Sequence, residues 1–263
     1  MLDLVRPANF VFPAQKILIY GVQGIGKNTF AATFRAPVLL QIEDGSAALD
    51  IPAFPLCLNF QNVIDVIQAL HGDHQYKTLV LDTIDWLEPL LWTACCEARG
   101  WQSIESPGYG KGYIELDNWW RHIMGGLDSL RHNNGMDIVV LAHSEVKRIE
   151  PPDTDPYDTY QIKMQMRAFS LWQEWSDMVL FCNYKVNIQK TKTGMNEERT
   201  RGVGTGDRMI YTSERPAWKA KNRWSLPEEI LIGKDKTWAA FHEQLAACTN
   251  GKYINPIQKK EKK

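Results

Sequence analysis

The chain has no apolar run long enough to cross a membrane, and its opening Met1-Leu-Asp-Leu-Val-Arg-Pro7 lacks the basic and apolar regions of a secretory leader. No membrane partner is expected, and the expected compartment is the cytosol. Cysteine pairing is missing as well. The five cysteines, Cys57, Cys95, Cys96, Cys182 and Cys248, form no C-x-x-C and lie mainly in apolar segments, which favours reduced, buried thiols over disulfides or structural zinc. There is no excess charge of either sign: a net charge of −1 excludes a uniformly basic nucleic-acid binder.

What is there is ordinary globular usage. The chain has 263 residues, 44% of them hydrophobic and 23% charged, enough for one large α/β core. We expect a single domain over residues 1–247 with its core at about 14–232, followed by a basic, flexible tail over 248–263. The charge is unevenly spread. Lys185 to Arg223 holds ten Lys/Arg against four Asp/Glu, so a local anionic partner fits that stretch, and Lys259–Lys263 is a basic end.

The densest chemistry is in Gly21-Val22-Gln23-Gly24-Ile25-Gly26-Lys27-Asn28. It follows the apolar stretch Lys16–Tyr20 and precedes Thr29-Phe-Ala-Ala-Thr-Phe34, an apolar helical pattern. A glycine loop ending in lysine between strand and helix is the phosphate-binding G-x-x-x-x-G-K-[ST] pattern: glycines let backbone N–H groups converge on phosphate, and lysine neutralises the β/γ oxygens. Gly21 through Thr29 are thus the expected nucleotide cradle. Asn28 departs from the pattern, standing where a hydroxyl would ligate Mg²⁺. Its amide oxygen is a weaker and bulkier ligand for an ion that demands tight octahedral geometry.

Further buried strands are expected at Val38–Ile42, Thr78–Asp82, Asp137–Ala142 and Met178–Cys182. Helices are expected from Asp85 to about Arg99, opened by a capping box Asp85-Trp-Leu-Glu88, and around Leu116–Leu130. Alternation of this kind makes a mostly parallel sheet flanked by helices, with ligands at the carboxyl ends of its strands. Three strands end in chemistry. Asp82 closes Thr78-Leu-Val-Leu and is placed to hold Mg²⁺. Glu43, in Gln-Ile-Glu-Asp-Gly, is the candidate general base for the attacking water, against a simpler turn at Asp44-Gly45 with Glu43 solvated. His143, after Ile138-Val-Val-Leu-Ala, is the candidate γ-phosphate sensor, against a purely structural histidine.

On these motifs the chain resembles the RecA-like P-loop ATPases, in particular phage-encoded members of the single-strand annealing and recombination type. The resemblance covers about residues 14–232. It implies an α/β RecA-like fold with a C-terminal antiparallel β extension, ATP and Mg²⁺ as cofactors, and metal held by Asp82 and the Asn28 position. It also implies hydrolysis coupled to single-stranded DNA, a homo-oligomer with composite active sites, a single-strand DNA-binding protein as a further partner, and a bacterial host cytosol. Many members carry glutamine where this chain has His143. Ala217-Trp-Lys-Ala-Lys-Asn-Arg223 resembles the basic strand whose side chains reach the γ-phosphate of a neighbouring subunit, which puts Lys221 and Arg223, with Lys219 beside them, in that role.

Two polar stretches are candidates for nucleic-acid contact: Gly100–Gly112 and Lys147–Arg167. Trp101, Tyr109, Tyr157 and Tyr160 would stack bases, and Lys111, Lys147, Arg148, Lys163 and Arg167 would meet phosphates. Against this, Glu150, Asp153, Asp155 and Asp158 make the second stretch acidic at its centre. A nucleotide-dependent protein-interaction module with little hydrolysis is the rival reading, and Asn28 is its chief support.

Overall fold

The computed structural model describes residues 12–45, 50–192, 198–233, 238–253 and 256. Five strands run parallel in the order β2 (Pro37–Gln41), β3 (Thr78–Asp82), β4 (Asp137–Ile149), β1 (Lys16–Gly21) and β6 (Met178–Lys192). On the far side of β6, β7 (Glu198–Tyr211) and β8 (Glu229–Gly233) extend the sheet antiparallel. β5 (Tyr157–Ile162) pairs antiparallel with the outer half of β4. This is the expected mostly parallel sheet flanked by helices with an antiparallel extension, and β4, which carries His143, lies between the phosphate-loop strand and the Asp82 strand.

The central strands are apolar throughout because both faces of the sheet are covered. Successive strand residues point to opposite sides. Leu18, Tyr20, Leu79, Leu81, Ile138 and Val140 pack under α2 (Phe60–Ala69), α3 (Ile84–Arg99), α4 (Lys111–Asn133) and α5 (Met166–Trp175). Ile17, Ile19, Val80, Val139 and Leu180 pack on the other side against α1 (Lys27–Ala31) and α6 (Ala239–Cys248). Trp120 of α4 is buried in this layer and meets Trp172 of α5 edge to face at 5.6 Å.

The amino ends of the strands are tied by carboxylates with structural work. Asp137 accepts from the Gln15 N–H at 2.7 Å and pairs with Arg35. Asp177 accepts from the Lys16 N–H and pairs with Arg131 and Arg223. The carboxyl ends are thereby left for ligand chemistry.

Three expectations are corrected. The polar stretch Lys147–Arg167, expected to reach out to nucleic acid, is largely regular structure: β4 runs on to Ile149 and returns as β5, leaving the acidic segment 150–156 as a hairpin tip, and after a short connection α5 begins at Met166. There is no capping box at Asp85. The N-cap of α3 is Thr83, and Asp85 and Glu88 both reach across to other segments. The packed structure also passes residue 247, since Tyr253 is buried and its hydroxyl lies 2.7 Å from His242 Nδ1. The basic end Lys259–Lys263 lies outside the described residues, as does Met1–Pro7.

Candidate nucleotide site

The phosphate loop leaves β1 at Gly21, which is in register with His143 of β4 on one side and Cys182 of β6 on the other. Only glycine fits there, because a Cβ would sit 2.1 Å from the Cys182 carbonyl oxygen. Gly26, at φ 103°, starts α1 from the left-handed region, where glycine carries no steric penalty. Directly behind it lies the fully buried Trp238, whose indole also stacks on Phe30 at 4.6 Å. α1 is a single turn, shorter than the apolar pattern through Phe34 suggests.

Two side chains hold the loop from the β6–β7 hairpin. The buried Arg208 donates from Nε to the Ile25 carbonyl at 2.9 Å, and the Tyr184 hydroxyl donates to the Gly24 carbonyl at 3.3 Å. Lys27 folds back into the loop, its ammonium donating to the carbonyls of Gly21 and Val22 at 3.1 and 3.3 Å. Burial pushes its pKa below the usual lysine range, while Cys182, Asp85, Asp82 and Glu43 pull the other way. A phosphate group would supply a close anion for this buried ammonium, which makes no ion pair among the described residues.

A cavity of about 390 Å³ opens over the loop, lined by Gln23, Gly24, Gly26, Lys27, Asn28, Thr29, Glu43, Gly45, Asp82 and His143. Four separate elements thus deliver the predicted side chains to one place. Asp82 is buried, and burial raises its pKa to about 6. The negative charge of Glu43 adds to this, and Asn28, His143 and Lys27 oppose it. The Asp82–Thr83 peptide is cis. Glu43 is placed by its own backbone, its N–H donating to the Asp82 carbonyl at 3.1 Å, and its Oε2 accepts from the Thr83 hydroxyl at 3.4 Å.

Asn28 meets Asp82 directly. Its amide nitrogen donates to Asp82 Oδ2 at 2.6 Å, so a half-turn of the amide is needed before its oxygen faces an ion held by that carboxylate. Among the described residues no group of three or more His, Cys, Asp and Glu side chains gathers as a metal cage. Mg²⁺ fits such a site nonetheless, because it is usually held by one or two carboxylates plus nucleotide phosphates and water.

His143 is held in a way the sequence did not reveal. Asp85, in the first turn of α3, accepts the His143 N–H at 3.0 Å and meets ring Nδ1 at 2.9 Å, while Nε2 lies 3.8 Å from Glu43 Oε2. Burial pushes the Asp85 carboxyl up, but the bonds to His143 outweigh it and hold the group below the usual carboxylate range.

The sequence profile of the AAA domain family matches residues 14–224. The chain belongs to that family. No curated protein sequence matches this AAA domain. Among solved structures it is similar to the crystal structure of the RadB recombinase, with a TM-score of 0.45 and 12% identity over 84% of this chain and 89% of that one.

Lys221 and Arg223 are not part of the AAA domain's own cavity. They sit at the amino ends of β1 and β6, on the opposite edge of the sheet. Lys221 pairs through its backbone with Val179 and donates from Nζ to the carbonyls of Gln173 and Glu174, and Arg223 reaches Asp177 at 3.3 Å. Lys219 is paired with Glu214. Of the residues expected to meet nucleic acid, Tyr160 packs on Phe181, Trp101 packs partly against the core, and Lys147, Arg148 and Arg167 pair with Glu145, Asp158 and Asp117. Tyr109 is 99% exposed, and Lys111 and Lys163 are exposed as well.

Proposed function

We propose that this AAA domain binds ATP and Mg²⁺ and hydrolyses ATP in a homo-oligomer acting on single-stranded DNA, in recombination or annealing of the phage type. The observation that carries the ATPase reading is the convergence of Lys27, Asp82, Glu43 and His143 on one cavity from four elements. Lys27 neutralises the β/γ oxygens, and Asp82 holds the ion that offsets charge on the transferring phosphoryl group. Glu43 orients and deprotonates the attacking water, and His143 senses the γ-phosphate. Lys221 and Arg223 reach the site of a neighbouring protomer, which their place on the opposite edge of the sheet suits.

DNA action rests on the RecA-like resemblance and on the basic balance of Lys185–Arg223, with a single-strand DNA-binding protein as a further partner and a bacterial cytosol as the setting. The second reading is a nucleotide-dependent protein-interaction module. It is favoured by the Asn28–Asp82 hydrogen bond, which occupies the carboxylate that an ion needs. ATP hydrolysis by the chain and by Asn28→Ser, each with and without single-stranded DNA at fixed low salt with Mg²⁺, separates the two. DNA-stimulated turnover in Asn28→Ser supports the recombination ATPase, and no DNA response in either chain supports the interaction module.

A further inference from the structure

The helix after Asp82 carries a second carboxylate that touches no part of the phosphate loop and is aimed at His143. Asp85 is 5% exposed at its side chain; Oδ1 accepts from the His143 backbone N–H and Oδ2 meets ring Nδ1, and the carboxylate takes a further hydrogen bond from the Thr83 side chain. An ionised carboxylate only accepts hydrogen bonds, so the ring must carry a proton on Nδ1. That leaves Nε2 as the nitrogen turned into the cavity, 3.8 Å from Glu43 Oε2. The gap is roughly 0.6 Å beyond direct hydrogen-bond reach, and a small side-chain movement or one water closes it.

We propose that Asp85 is a positioning residue of the nucleotide site: it fixes the tautomer and orientation of His143 so that Nε2 receives the proton that Glu43 takes from the attacking water. This rests on the ATPase reading above. In the step, the water O–H bond breaks and its proton passes to the Glu43 carboxylate. The water oxygen forms the new bond to the γ-phosphorus, and the bond from that phosphorus to the bridging oxygen breaks with its electron pair left on ADP. Glu43 then returns to its ionised form by passing the proton to His143 Nε2. The resulting imidazolium is stabilised by Asp85, the division of labour seen in a carboxylate-oriented catalytic histidine, and only in this protonated form does Nε2–H donate to the phosphate that His143 senses. Glutamine at position 143 could not take that proton, so His143 and Asp85 form a matched pair.

Asp85→Asn tests the pairing because it keeps the shape and reverses the hydrogen-bond polarity. With its oxygen on the His143 N–H, the new amide donates to Nδ1 and forces the proton to Nε2. In the nucleotide-free protein, nitrogen-15 NMR of His143 should show Nδ1–H in the parent and Nε2–H in Asp85→Asn, with the thermal midpoint checking the fold. In an Asn28→Ser background, Asp85→Asn should lower kcat about 100-fold or more with KM for ATP changed less than about threefold, given the usual range for proton-transfer groups and the larger loss from the same exchange in serine proteases. His143→Gln should lower kcat as much, and the double variant should be no worse than either single one.

An Nε2–H parent, an unchanged kcat in Asp85→Asn, or additive losses in the double variant would overturn the proposal. If no variant hydrolyses ATP, the ATPase reading fails and the relay with it, while the NMR arm still reports whether Asp85 fixes the ring. If Asp85→Asn does not fold, the parent tautomer and His143→Gln decide.

Discussion

Asn28 is where one side chain has most leverage over the chemistry. Its amide donates to the carboxylate that would hold the ion, and it is bulkier than the usual hydroxyl. We expect Asn28→Ser to raise kcat about 10-fold or more and to lower the Mg²⁺ concentration at half-maximal rate. Nucleotide affinity unchanged and turnover still absent would refute this. Buried His242 is a second such residue, its ring between the Thr33 and Tyr253 hydroxyls. Burial pushes its pKa down to about 3, whereas an unfolded histidine titrates near 6.5. The unfolded chain therefore binds more protons between those values, so the contribution is full above about pH 6.5 and is lost as pH falls toward 3. Between pH 7.5 and 5 the urea midpoint of His242→Gln should rise relative to that of the parent, and no change in the difference between the two chains would rule this out. Lys27, Asp82, Glu43 and His143 were legible because each ends an apolar strand or a glycine loop. Asp85, Tyr184 and Arg208 were not, because what they touch depends on strand register and on helix placement more than 50 residues away.

α3 grips both roots of the β4–β5 hairpin. Asp85 holds the His143 N–H, and Glu88, one turn on, accepts the Gln165 N–H at 3.2 and 3.1 Å through its two oxygens. Lys163 closes the base by donating to the His143 carbonyl at 2.9 Å. The state of His143 is thereby tied to the segment beyond it. Burial raises the Glu88 carboxyl to about 7, well above an ordinary glutamate. The folded chain then binds more protons than the unfolded one between about pH 4.5 and 7, so stability falls as pH rises through that window. Glu88→Gln, which keeps an accepting oxygen, should raise the thermal midpoint at pH 8, a stabilisation on the order of 1–3 kcal/mol at most, and leave it unchanged near pH 4. A lower midpoint at pH 8 would mean that the carboxylate charge itself stabilises the hairpin root. The parallel strands were legible from continuous apolar runs. β5 and the outer halves of β4, β6 and β7 were not, because charged and polar residues fill strands that leave the doubly covered part of the sheet.

At the scale of the molecule, the phosphate loop and the Lys221–Arg223 segment, which meets β6 through a single bridge from Lys221 to Val179, lie at opposite ends of the parallel strands. A composite site would therefore join the carboxyl edge of one protomer to the amino edge of the next. Under that proposal Arg223→Ala and Glu43→Gln chains should each be inactive alone and should regain a fraction of turnover when mixed, since some sites would then combine an intact Glu43 with an intact Arg223. No recovery across a range of mixing ratios, with light scattering showing assembly, would rule out Arg223 as a cross-subunit group. The sequence showed the basic strand but not its partners, because Asp177 lies more than 40 residues before it and meets it only through the fold.

Trp238 offers a use of a different kind. Its indole is fully buried, stacked on Phe30, and close enough to Gly26 that a Cβ there would lie 3.1 Å from it. Any rearrangement of the phosphate loop must change the surroundings of that ring, so the domain carries its own optical reporter. With ten tryptophans in the chain, the signal is the part of the ligand-induced emission change that disappears in Trp238→Phe. Nucleotide arrival could then be timed separately from bond cleavage, without attaching a dye.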